Sequence, residues 1–530
     1  MRNNLLEALS DNIVIDRDKC TFCGICVETC ILDNLRLQLA PCRQACPLGV
    51  NVQGYIQQCL RGEDSQARET LREALIFPEI LGRICPAPCE DKCHRGQVEG
   101  QPVAARAIKR YLFEGQKPED IPLPEIAAST GKKAVVIGSG PAGLQAAHDL
   151  RRAGHEVDVL ESEDRPGGML RWAIPEFRLP TEVLERELTL LEKMGVQFNC
   201  GVKVGETASL DQLQAQYDAV VMAAGCTQAL RLGVPGEDLD GIYHGLEVLK
   251  AAKYGQDLDL GKSVAVIGGG NVAVDAAQVA LRLGAEQATV ISLETEDALP
   301  AFPEEVSGAR AAGVRFEPGW GPVRLLGQEG RICAVELKRC LSVFDARGSF
   351  APQFDACVLK NLNADTVIVA IGQERENTLF QGLTQVNRLT LQAGSSNLFL
   401  AGDCYTGPSS VVAAMAGGRQ AAESINRFLA GEHLSLGRSF PGPVETEFDI
   451  DISRGSSDAR VEPPRRKFQG KGDFQELEGV LSQEEARREA GRCYSCGAPF
   501  GKYRTCWFCL PCEVECPHDA LWVEIPYLLR

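Results

Sequence analysis

The sequence predicts a multidomain α/β protein, and three patterns support that prediction. Two stretches, "KKAVVIGSGPAGLQAAHDLRRAGHEVDVLES" and "KSVAVIGGGNVAVDAAQVALRLGAEQATVISLE", each read as strand, glycine-rich turn, helix and strand. This order is the βαβ unit of a doubly wound fold that binds dinucleotides. A run of four cysteines near the start of the chain is repeated near its end. At 530 residues, the chain can hold about three or four domains of roughly 100 to 200 residues.

The two cysteine runs have the spacing of the halves of a bacterial two-cluster ferredoxin. Their members are Cys20, Cys23, Cys26 and Cys30 in the first run, and Cys506, Cys509, Cys512 and Cys516 in the second. Pro517 follows the second run as the pattern requires, whereas Ile31 follows the first. Short alternating strands, "NIVID", "LRLQL" and "ALWVEI", flank the runs. We therefore predict that the two chain ends fold together as one ferredoxin-like domain.

In this pattern the fourth cysteine of each half ligates the opposite cluster, which predicts two cross-paired ligand sets. The first set is Cys20, Cys23 and Cys26 with Cys516, and the second is Cys506, Cys509 and Cys512 with Cys30. Two alternatives stay open from the sequence: each run closes its own cluster, or one run binds zinc. Iron and sulfide are favoured, because zinc sites prefer two separated CxxC pairs.

Composition and charge exclude several classes of function. The formal net charge of −17 repels nucleic acid, so we expect no nucleic-acid partner. No run of about 18 apolar residues is present, so we expect no membrane insertion. The N-terminus has neither the apolar core of a signal peptide nor a twin-arginine pair, so we expect a cytoplasmic protein. In a long cytoplasmic chain, 22 cysteines with CxxC spacings indicate metal ligation rather than disulfides.

Changes in periodicity divide the chain into six segments. Apolar residues at steps of three and four indicate helices after the first cysteine run. The predicted segments are 1–40, the first half of the ferredoxin-like domain; 41–130, a helical domain with five cysteines; 131–235 with 367–435, a dinucleotide-binding domain; 236–366, a second dinucleotide-binding domain; 436–490, an extended connector; and 491–530, a C-terminal cluster-binding segment.

The glycine-rich turns are placed to bind pyrophosphate at a helix N-terminus, where backbone N–H groups and the helix dipole meet the anion. Glu161 ends the second strand of the first unit, where a carboxylate can accept the ribose 2′-hydroxyl. Glycine spacing alone does not decide which unit binds flavin and which binds nicotinamide.

From about Pro41 to Leu429 the chain resembles the small subunit of glutamate synthase and the N-terminal half of dihydropyrimidine dehydrogenase. Six stretches in that family's order support the resemblance: "CRQACP", "GRICPAPCEDKC", "VVIGSGPAGL", "RPGGMLRWAIPEFRLP", "VIGGGNVAVDAA" and "NLFLAGD". The resemblance implies FAD at Gly138, Gly140, Gly143, Glu161, Gly168 and Asp403. It implies a nicotinamide nucleotide at Gly268, Gly270, Asn271 and Ala273. Hydride passes directly between the two rings, so we expect no catalytic side chain.

Glu294 points to NAD(H) as the nicotinamide cofactor. Members of the family that use NADPH commonly have an arginine pair just after the second strand, where guanidinium groups bind the 2′-phosphate. This chain reads "VISLETEDALP" there, and its next arginine is Arg310. A carboxylate accepts the ribose hydroxyls of NADH and repels the phosphate of NADPH.

The resemblance also implies two [4Fe–4S] clusters in the helical domain, partly bound by an RCxxC pair ahead of it. Here that pair lies in the C-terminal segment, so we predict one cluster on Cys42, Cys93, Cys493 and Cys496. The other would use Cys46, Cys85 and Cys89, and its fourth ligand is open. The family's glutamine or glutamate falls near Arg106 to Lys109 in this chain, and Cys59 is a possible substitute. Four clusters need 16 ligands, and the motifs supply 15 cysteines.

The predicted protein is an NAD(H)-dependent oxidoreductase subunit for anaerobic metabolism. It would pass electrons between NADH, FAD and about four [4Fe–4S] clusters. Its partner would be a catalytic oxidoreductase subunit, such as a molybdenum or tungsten enzyme or a hydrogenase, or ferredoxin. The alternatives are a self-sufficient, possibly bifurcating, NADH:ferredoxin oxidoreductase and a non-enzymatic polyferredoxin-like scaffold.

Overall fold

The computed structural model describes residues 12–31, 33–117, 119, 121–380, 385–440, 442–502, 506 and 508–524. Contacts between Cα atoms divide the chain into two compact units. The first, here called the cysteine unit, comprises Met1–Asp120, Ser435–Pro464 and Val480–Arg530. The second, here called the nucleotide unit, comprises Ile121–Leu434 and Arg465–Gly479. All the predicted metal ligands fall in the cysteine unit, and all the predicted nucleotide-binding residues fall in the nucleotide unit.

Two five-stranded parallel sheets form the centre of the nucleotide unit, which confirms the predicted doubly wound fold class. The first sheet has the strand order Leu398–Leu400, Ala219–Met222, Lys133–Ile137, Glu156–Glu161 and Gln197–Cys200. The second has the order Arg315–Pro318, Gln287–Ser292, Ser263–Ile267, Thr366–Val369 and Ile242–His244. Their central strands consist mainly of buried Val, Ile and Ala, as expected where helices cover both faces.

Helices and two antiparallel sheets complete the nucleotide unit. Its helices are Pro141–Arg152, Met169–Trp172, Thr181–Lys193, Leu210–Gln216, Gly245–Lys253, Asn271–Leu283, Pro303–Ala311, Asp403–Thr406 and Val411–Leu429, with 3₁₀ turns at Glu296–Ala298 and Asn377–Phe380. A three-stranded antiparallel sheet is formed by Trp320–Gln328, Arg331–Phe344 and Phe350–Asn363, and a two-stranded one by Gln228–Ala229 and Gln373–Glu374. Within the described ranges, no helix is both long enough and apolar enough to cross a bilayer.

Most of the helices in the cysteine unit lie between residues 41 and 113, where the periodicity predicts them. Its helices are Ile25–Glu28, Pro41–Ala45, Val52–Arg61, Asp64–Arg72, Pro78–Ile84, Pro88–Asp91, His94–Glu99, Ala105–Phe113, Gln483–Gly491 and Pro511–Val514. Several begin with proline, whose missing N–H costs nothing at the first helical position. Asn51 caps the helix Val52–Arg61 by accepting a hydrogen bond from the N–H of Gly54. Cys46, Cys85 and Cys93 lie at the caps of these short helices, and apolar residues such as Phe77 and Phe113 are fully buried.

The two chain ends exchange strands in the cysteine unit. The first strand of the N-terminal half, Ile13–Ile15, pairs antiparallel with the last strand of the C-terminal half, Leu521–Val523. In return, Pro499–Gly501 pairs antiparallel with Leu35–Gln38. Each half thus supplies one strand to each of two sheets. The predicted joining of the chain ends is confirmed.

A small apolar core lies between the two exchanged sheets. It contains Leu35, Leu37, Leu521 and Val523, all buried, together with Cys26 and Cys512. Trp522, between the two buried residues of the last strand, points to the opposite face and is 40% exposed. The strand exchange and the buried cysteines therefore belong to one packed core.

The connector predicted for 436–490 differs from its predicted extended form. Val444–Glu445 adds a parallel strand beside Leu35–Gln38. Arg465–Gly479 belongs to the nucleotide unit, where Phe468, Phe474 and Leu477 pack against a buried cluster. The last part is the helix Gln483–Gly491, which starts with a capping box between Ser482 and Glu485. The pattern SxxE was a sequence signal for this helix start.

Removal of residues 491–530 tests the strand exchange. We expect the truncated chain to become sensitive to protease between residues 12 and 40, because Ile13–Ile15 loses its partner strand and metal binding that depends on both halves is folding energy. FAD should stay bound, because the predicted flavin residues lie in the nucleotide unit. Limited proteolysis with mass spectrometry, and flavin absorbance, measure the two outcomes. A truncated chain whose N-terminal segment resists protease as the full chain does would contradict the prediction.

Candidate functional site

The first glycine turn leads into the helix Pro141–Arg152. Neither Gly138 nor Gly143 has room for a side chain. A Cβ on Gly138 would lie 2.5 Å from the carbonyl oxygen of Ala223, and a Cβ on Gly143 would lie 2.0 Å from the carbonyl oxygen of Gly138. A Cβ on Gly140 would meet no heavy atom of the described chain within 4 Å. Tight turn, open approach and close helix packing are the three glycine roles of a dinucleotide loop. The space over Gly140 therefore fits a pyrophosphate at the helix N-terminus.

Glu161 joins this turn to the end of the second strand, and it is buried. Its Oε2 accepts hydrogen bonds from the N–H of Ser139, at 2.9 Å, and from the Ser139 hydroxyl. Its Oε1 accepts from the Ser162 hydroxyl at 3.1 Å and from the N–H of Glu163 at 2.9 Å. Ser139 Oγ also accepts from the N–H of Gly167 at 2.9 Å. The carboxylate is thus fixed at the position where this fold binds an adenosine ribose.

Gly168 and Asp403 lie at the same edge of the first sheet. Gly168 has φ of 52°, and a Cβ on it would lie 2.7 Å from Cα of Gly140. Asp403 follows the strand Leu398–Leu400 and accepts a hydrogen bond from Ser409 Oγ at 2.7 Å. Burial raises the pKa of the Asp403 carboxyl. Both residues follow the carboxyl ends of parallel strands, where ligands of such sheets bind.

The second glycine turn repeats this geometry. Gly268 has φ of 138°, and a Cβ on it would lie 2.2 Å from the carbonyl oxygen of Ala370. Gly270 is open, since a Cβ there has no described neighbour within 4 Å. Ala273, fully buried, occupies the third glycine position. The second turn therefore also leaves space for a dinucleotide where its helix begins.

Asn271 begins the helix Asn271–Leu283. Its side-chain oxygen accepts a hydrogen bond from the N–H of Phe302 at 2.8 Å. The N–H of Ala301 donates to the carbonyl of Gly269 at 3.0 Å. The loop before the helix Pro303–Ala311 is thus tied directly to the second glycine turn.

Glu294 lies beside the second glycine turn. A Cβ built on Gly269 would lie 3.0 Å from Glu294 Oε2, and the Glu294 carbonyl accepts from the N–H of Gly319 at 2.8 Å. Arg310, the first arginine after this strand, is paired with Glu296. A carboxylate thus occupies the place next to the turn where a nucleotide ribose is bound in this fold.

A segment of the first nucleotide-binding half packs into the core of the second. Trp172 and Phe177 belong to the same buried cluster as Val266. Arg178 Nη1 donates to Asp275 Oδ2 at 2.6 Å. The two glycine turns are therefore held in one packed body, which fixes their relative positions.

In the cysteine unit, Cys20, Cys23 and Cys26 line one cavity together with Cys516. Burial raises the pKa of the Cys26 thiol, and the neighbouring Cys20, Cys23 and Cys516 raise it further. The structure thus brings the fourth cysteine of the C-terminal run to the first three of the N-terminal run. We call this group the N-terminal cysteine site.

The reciprocal group contains Cys506, Cys509 and Cys512 together with Cys30. Burial raises the pKa of the Cys512 thiol to about 11, and the neighbouring Cys30, Cys506 and Cys509 add to the increase. Cys509 is exposed, whereas Cys512 is buried. We call this group the C-terminal cysteine site.

Backbone N–H groups donate to the cysteine sulfurs at matching positions of the two halves. These hydrogen bonds are Phe22 N to Cys20 Sγ at 3.3 Å, Phe508 N to Cys506 Sγ at 3.4 Å, Asn34 N to Cys30 Sγ at 3.3 Å, and Ala520 N to Cys516 Sγ at 3.3 Å. Phe22 and Phe508 have φ of 57° and 56°, a left-handed conformation that is uncommon for a bulky residue. Such donors stabilise anionic sulfur, so both halves fit the ligation of an iron–sulfur cluster.

A third group joins the helical segment to the C-terminal one. Cys42, Cys93, Cys493 and Cys496 line one cavity. Burial raises the pKa of the Cys493 thiol to about 11, and Cys93 contributes. Cys89 also lines this cavity, so the next group lies beside it. We call the four cysteines the mixed cysteine site.

The fourth group contains Cys46, Cys85 and Cys89. Burial raises the pKa of the Cys89 thiol, and Cys85 and Cys46 raise it as well, whereas Lys109 lowers it. Lys109 is buried, on the helix Ala105–Phe113. The structure thus places an amine near Cys89 within the range Arg106 to Lys109 that the sequence leaves open.

Cys59, the possible substitute ligand, has a different environment. It is fully buried, and its Sγ accepts a hydrogen bond from Arg487 Nη1 at 3.0 Å. Arg487 also pairs with Asp64 at 2.8 Å.

In the described part of the chain, no three His, Cys, Asp or Glu side chains are grouped so as to hold a single metal ion.

Three histidines in the nucleotide unit have structural partners. His148 Nδ1 lies 2.8 Å from Asp149 Oδ1, and His155 Nδ1 lies 2.7 Å from Thr130 Oγ1. His244 stands at the N-cap of the helix Gly245–Lys253, and its backbone N–H donates to Glu247 Oε2 at 3.3 Å. The first two contacts hold the rings of His148 and His155 in the fold.

Sequence reasoning missed two arginines: Arg17 donates hydrogen bonds to the two carbonyls that flank Cys496, and Arg43 donates to the carbonyl of Phe22. The sequence shows that Arg43 lies between Cys42 and Cys46, two predicted ligands. It does not show which loop the Arg43 side chain contacts, because that contact depends on the tertiary fold.

Comparison with known proteins adds to this geometry. Residues 132–418 match the family model of pyridine nucleotide-disulphide oxidoreductases. The chain belongs to that oxidoreductase family. Residues 10–121 match the model of dihydropyrimidine dehydrogenase domain II, which binds a 4Fe–4S cluster. Together the two models confirm a flavin and iron–sulfur oxidoreductase with a pyridine nucleotide site.

Several named relatives of this oxidoreductase are subunits of larger enzymes. It is 33% identical over 505 residues to the beta subunit of NADP⁺-dependent formate dehydrogenase of Moorella thermoacetica, covering 86% of this chain and 70% of that one. It is 30% identical over 512 residues to the beta subunit of NADPH–Fe³⁺ oxidoreductase of Geobacter sulfurreducens, covering 86% and 75%. It is 32% identical over 399 residues to subunit PreT of NAD-dependent dihydropyrimidine dehydrogenase of Escherichia coli, covering 74% and 92%. The predicted resemblance is confirmed.

The contrast between open and closed glycines can be tested in this oxidoreductase. Gly143→Ala places a Cβ 2.0 Å from a carbonyl oxygen, so we expect a loss of about 1–3 kcal/mol in stability. Gly140→Ala should fold normally but bind FAD at least about tenfold more weakly, which is about 1.4 kcal/mol. Thermal melting and flavin fluorescence measure the two effects. Gly270→Ala is the matched control, because it should leave FAD content unchanged. Normal FAD binding by Gly140→Ala would remove that glycine from the flavin site.

Proposed function

We propose that this chain is an NAD(H)-dependent electron-transfer subunit that connects a flavin to four [4Fe–4S] clusters and then to a partner protein. FAD, when bound, converts the two-electron chemistry of nicotinamide into single-electron transfers. The observation that supports this proposal most is that one chain contains both kinds of site. Two open glycine turns lie in one unit, and four cysteine groups lie in the other. A hydride-accepting site and several one-electron sites then belong to a single chain.

The residues of the nucleotide unit would bind and orient the two nucleotides. Gly140 would admit the FAD pyrophosphate, with Glu161 on the adenosine ribose. Gly270 would admit the NAD(H) pyrophosphate. Hydride transfer needs no acid or base from the protein, since the chain contributes position and electrostatics.

Glu294 supports NAD(H) over NADP(H). Its carboxylate lies next to Gly269, and Arg310 is engaged with Glu296. A 2′-phosphate at that place would meet a carboxylate rather than a guanidinium, and like charges repel. The named relatives include NAD-dependent and NADP-dependent enzymes, so the preference of this chain depends on its own residues.

Three of the four clusters would have complete cysteine ligand sets: the N-terminal, C-terminal and mixed cysteine sites. The fourth would be bound by Cys46, Cys85 and Cys89, and the positive charge of Lys109, which acts on the Cys89 thiol, would lie near it. An ammonium there would neutralise cluster charge rather than ligate iron, because it has no free lone pair. We propose that this cluster has one iron without a thiolate.

The C-terminal cysteine site supports an exit to a partner. Cys509 is exposed, and Val514, on the helix Pro511–Val514, is 76% exposed. Electron-transfer partners dock through small, transient interfaces. The partner would be a catalytic oxidoreductase subunit, such as a molybdenum or tungsten enzyme or a hydrogenase, or ferredoxin.

Cofactor content tests the proposal. Protein purified without oxygen should contain one FAD and about 12 to 16 iron atoms, the content of about four clusters with one incomplete ligand set. NADH should bleach the flavin absorbance. Eight irons or fewer after full reconstitution, or stoichiometric zinc, would refute the four-cluster assignment. Steady reduction of ferredoxin by the chain alone would favour the self-sufficient enzyme.

Replacement of Glu294 tests the choice of nicotinamide cofactor. Glu294→Arg combined with Thr295→Arg should increase kcat/KM for NADPH relative to NADH by about tenfold or more, since guanidinium–phosphate bonds are charge-assisted. Glu294→Gln should give a smaller change, because it only removes the repulsion. Glu286→Arg is a control, because Glu286 pairs with Lys262 at the surface. An unchanged preference in the double variant would remove Glu294 from the nicotinamide site.

A further inference from the structure

Arg17 reaches from the N-terminal cysteine site to the mixed cysteine site. It lies three residues before Cys20 in the chain. Its Nη2 donates to the carbonyl oxygens of Ser495, at 2.9 Å, and Gly497, at 3.0 Å, which flank Cys496. Cys20 and Cys496 are both among the groups that interact electrostatically with its guanidinium. One arginine thus lies beside a cysteine of each site.

Arg43 makes the reverse connection. It lies between Cys42 and Cys46 on the helix Pro41–Ala45. Its Nη1 donates to the carbonyl oxygen of Phe22 at 3.1 Å, inside the loop from Cys20 to Cys23. Cys23 and Cys42 both interact with its charge. The two arginines therefore bridge the same two sites in opposite directions.

Buried polar side chains fix the loops that the arginines bridge. Asn51 Nδ2 donates to the carbonyl of Thr21 at 2.8 Å. Gln53 Nε2 donates to Ser495 Oγ at 3.2 Å and to the carbonyl of Gly497 at 3.1 Å. Thr21, Asn51, Gln53 and Ser495 are all buried. The two sites are thus joined by buried side chains with defined hydrogen-bond partners, and not by a loose contact at the protein surface.

We propose that Arg17 and Arg43 form the electron-transfer junction between the mixed cysteine site and the N-terminal cysteine site, and that they raise the reduction potentials of both clusters. This inference rests on the proposed function. The two residues are positioning residues, since they act through the clusters that the cysteines bind.

The physical reason is the charge of the reduced state. A bound cluster gains one negative charge when it accepts an electron, and a nearby cation stabilises that state. Burial lowers the pKa of both guanidinium groups, but an arginine stays protonated in proteins. One electron leaves one site and enters the other, with no bond formed or broken and no proton moved. Because each arginine lies beside both sites, it stabilises the electron on either side.

The test is a redox titration of the full-length, cluster-loaded protein, followed by electron paramagnetic resonance. Arg17→Gln and Arg43→Gln should each lower the midpoint potentials of the same two clusters. The expected change is about tenfold in the reduction equilibrium, which is about 59 mV for one electron. Arg17→Lys and Arg43→Lys should keep potentials near those of the wild type, because the charge remains. Arg68→Gln is the control: Arg68 Nη1 donates to the carbonyl of Leu112 at 3.2 Å, and its removal should shift neither cluster.

Unchanged midpoint potentials in both glutamine variants, with full iron content, would overturn the proposal, as would a shift confined to one cluster. If a glutamine variant loses iron, the lysine variant decides: wild-type potentials support the charge effect, and lowered potentials overturn it. Chemical reductants set the potential in this titration. Failure of NADH to reduce the wild-type protein would therefore refute the proposed function separately.

Discussion

The exchange of strands between the two chain ends is the constraint on which the cysteine unit depends. Because Ile13–Ile15 pairs with Leu521–Val523 and Pro499–Gly501 pairs with Leu35–Gln38, the fourth cysteine of each run lies with the first three of the other. The same closure brings Cys493 and Cys496 to the helical segment. Three of the four cysteine groups therefore combine residues from distant parts of the sequence, and they form only when the ends are paired.

The nucleotide unit combines tight packing at the edge of each sheet with open space next to one glycine of each turn. Gly138 and Gly143 in the first turn and Gly268 in the second are pressed against backbone carbonyls, whereas Gly140 and Gly270 are open. Packing on one side of each turn holds its backbone still, so the N–H groups of the following helix point at a fixed place. The close contact of Trp172 and Phe177 with the second half then sets the separation of the two glycine turns.

Local patterns predicted much of this architecture. Glycine and cysteine spacings are short-range signals, so the βαβ units, the short strands and the joining of the ends could be predicted from them. The left-handed conformation of Leu510, with φ of 69° at the position where Gly24 stands in the first half, could not. It is imposed by closure of the cysteine loop against the residue's own preference. The reach of Arg17 and Arg43 was also hidden, because it depends on which loops meet. The helix Gln483–Gly491 was missed although its capping box was present.

The strand exchange also sets the order of events during synthesis. Cys20, Cys23 and Cys26 leave the ribosome about 490 residues before Cys516, which at roughly 5–20 residues per second is about half a minute or more. Throughout that time three thiols of the N-terminal cysteine site lack the fourth cysteine of that site, and the strand Ile13–Ile15 lacks its partner. An unpaired strand edge and free thiols are liable to aggregation and to oxidation. The three thiols and the strand edge are therefore exposed in the nascent chain until the C-terminal segment has been made.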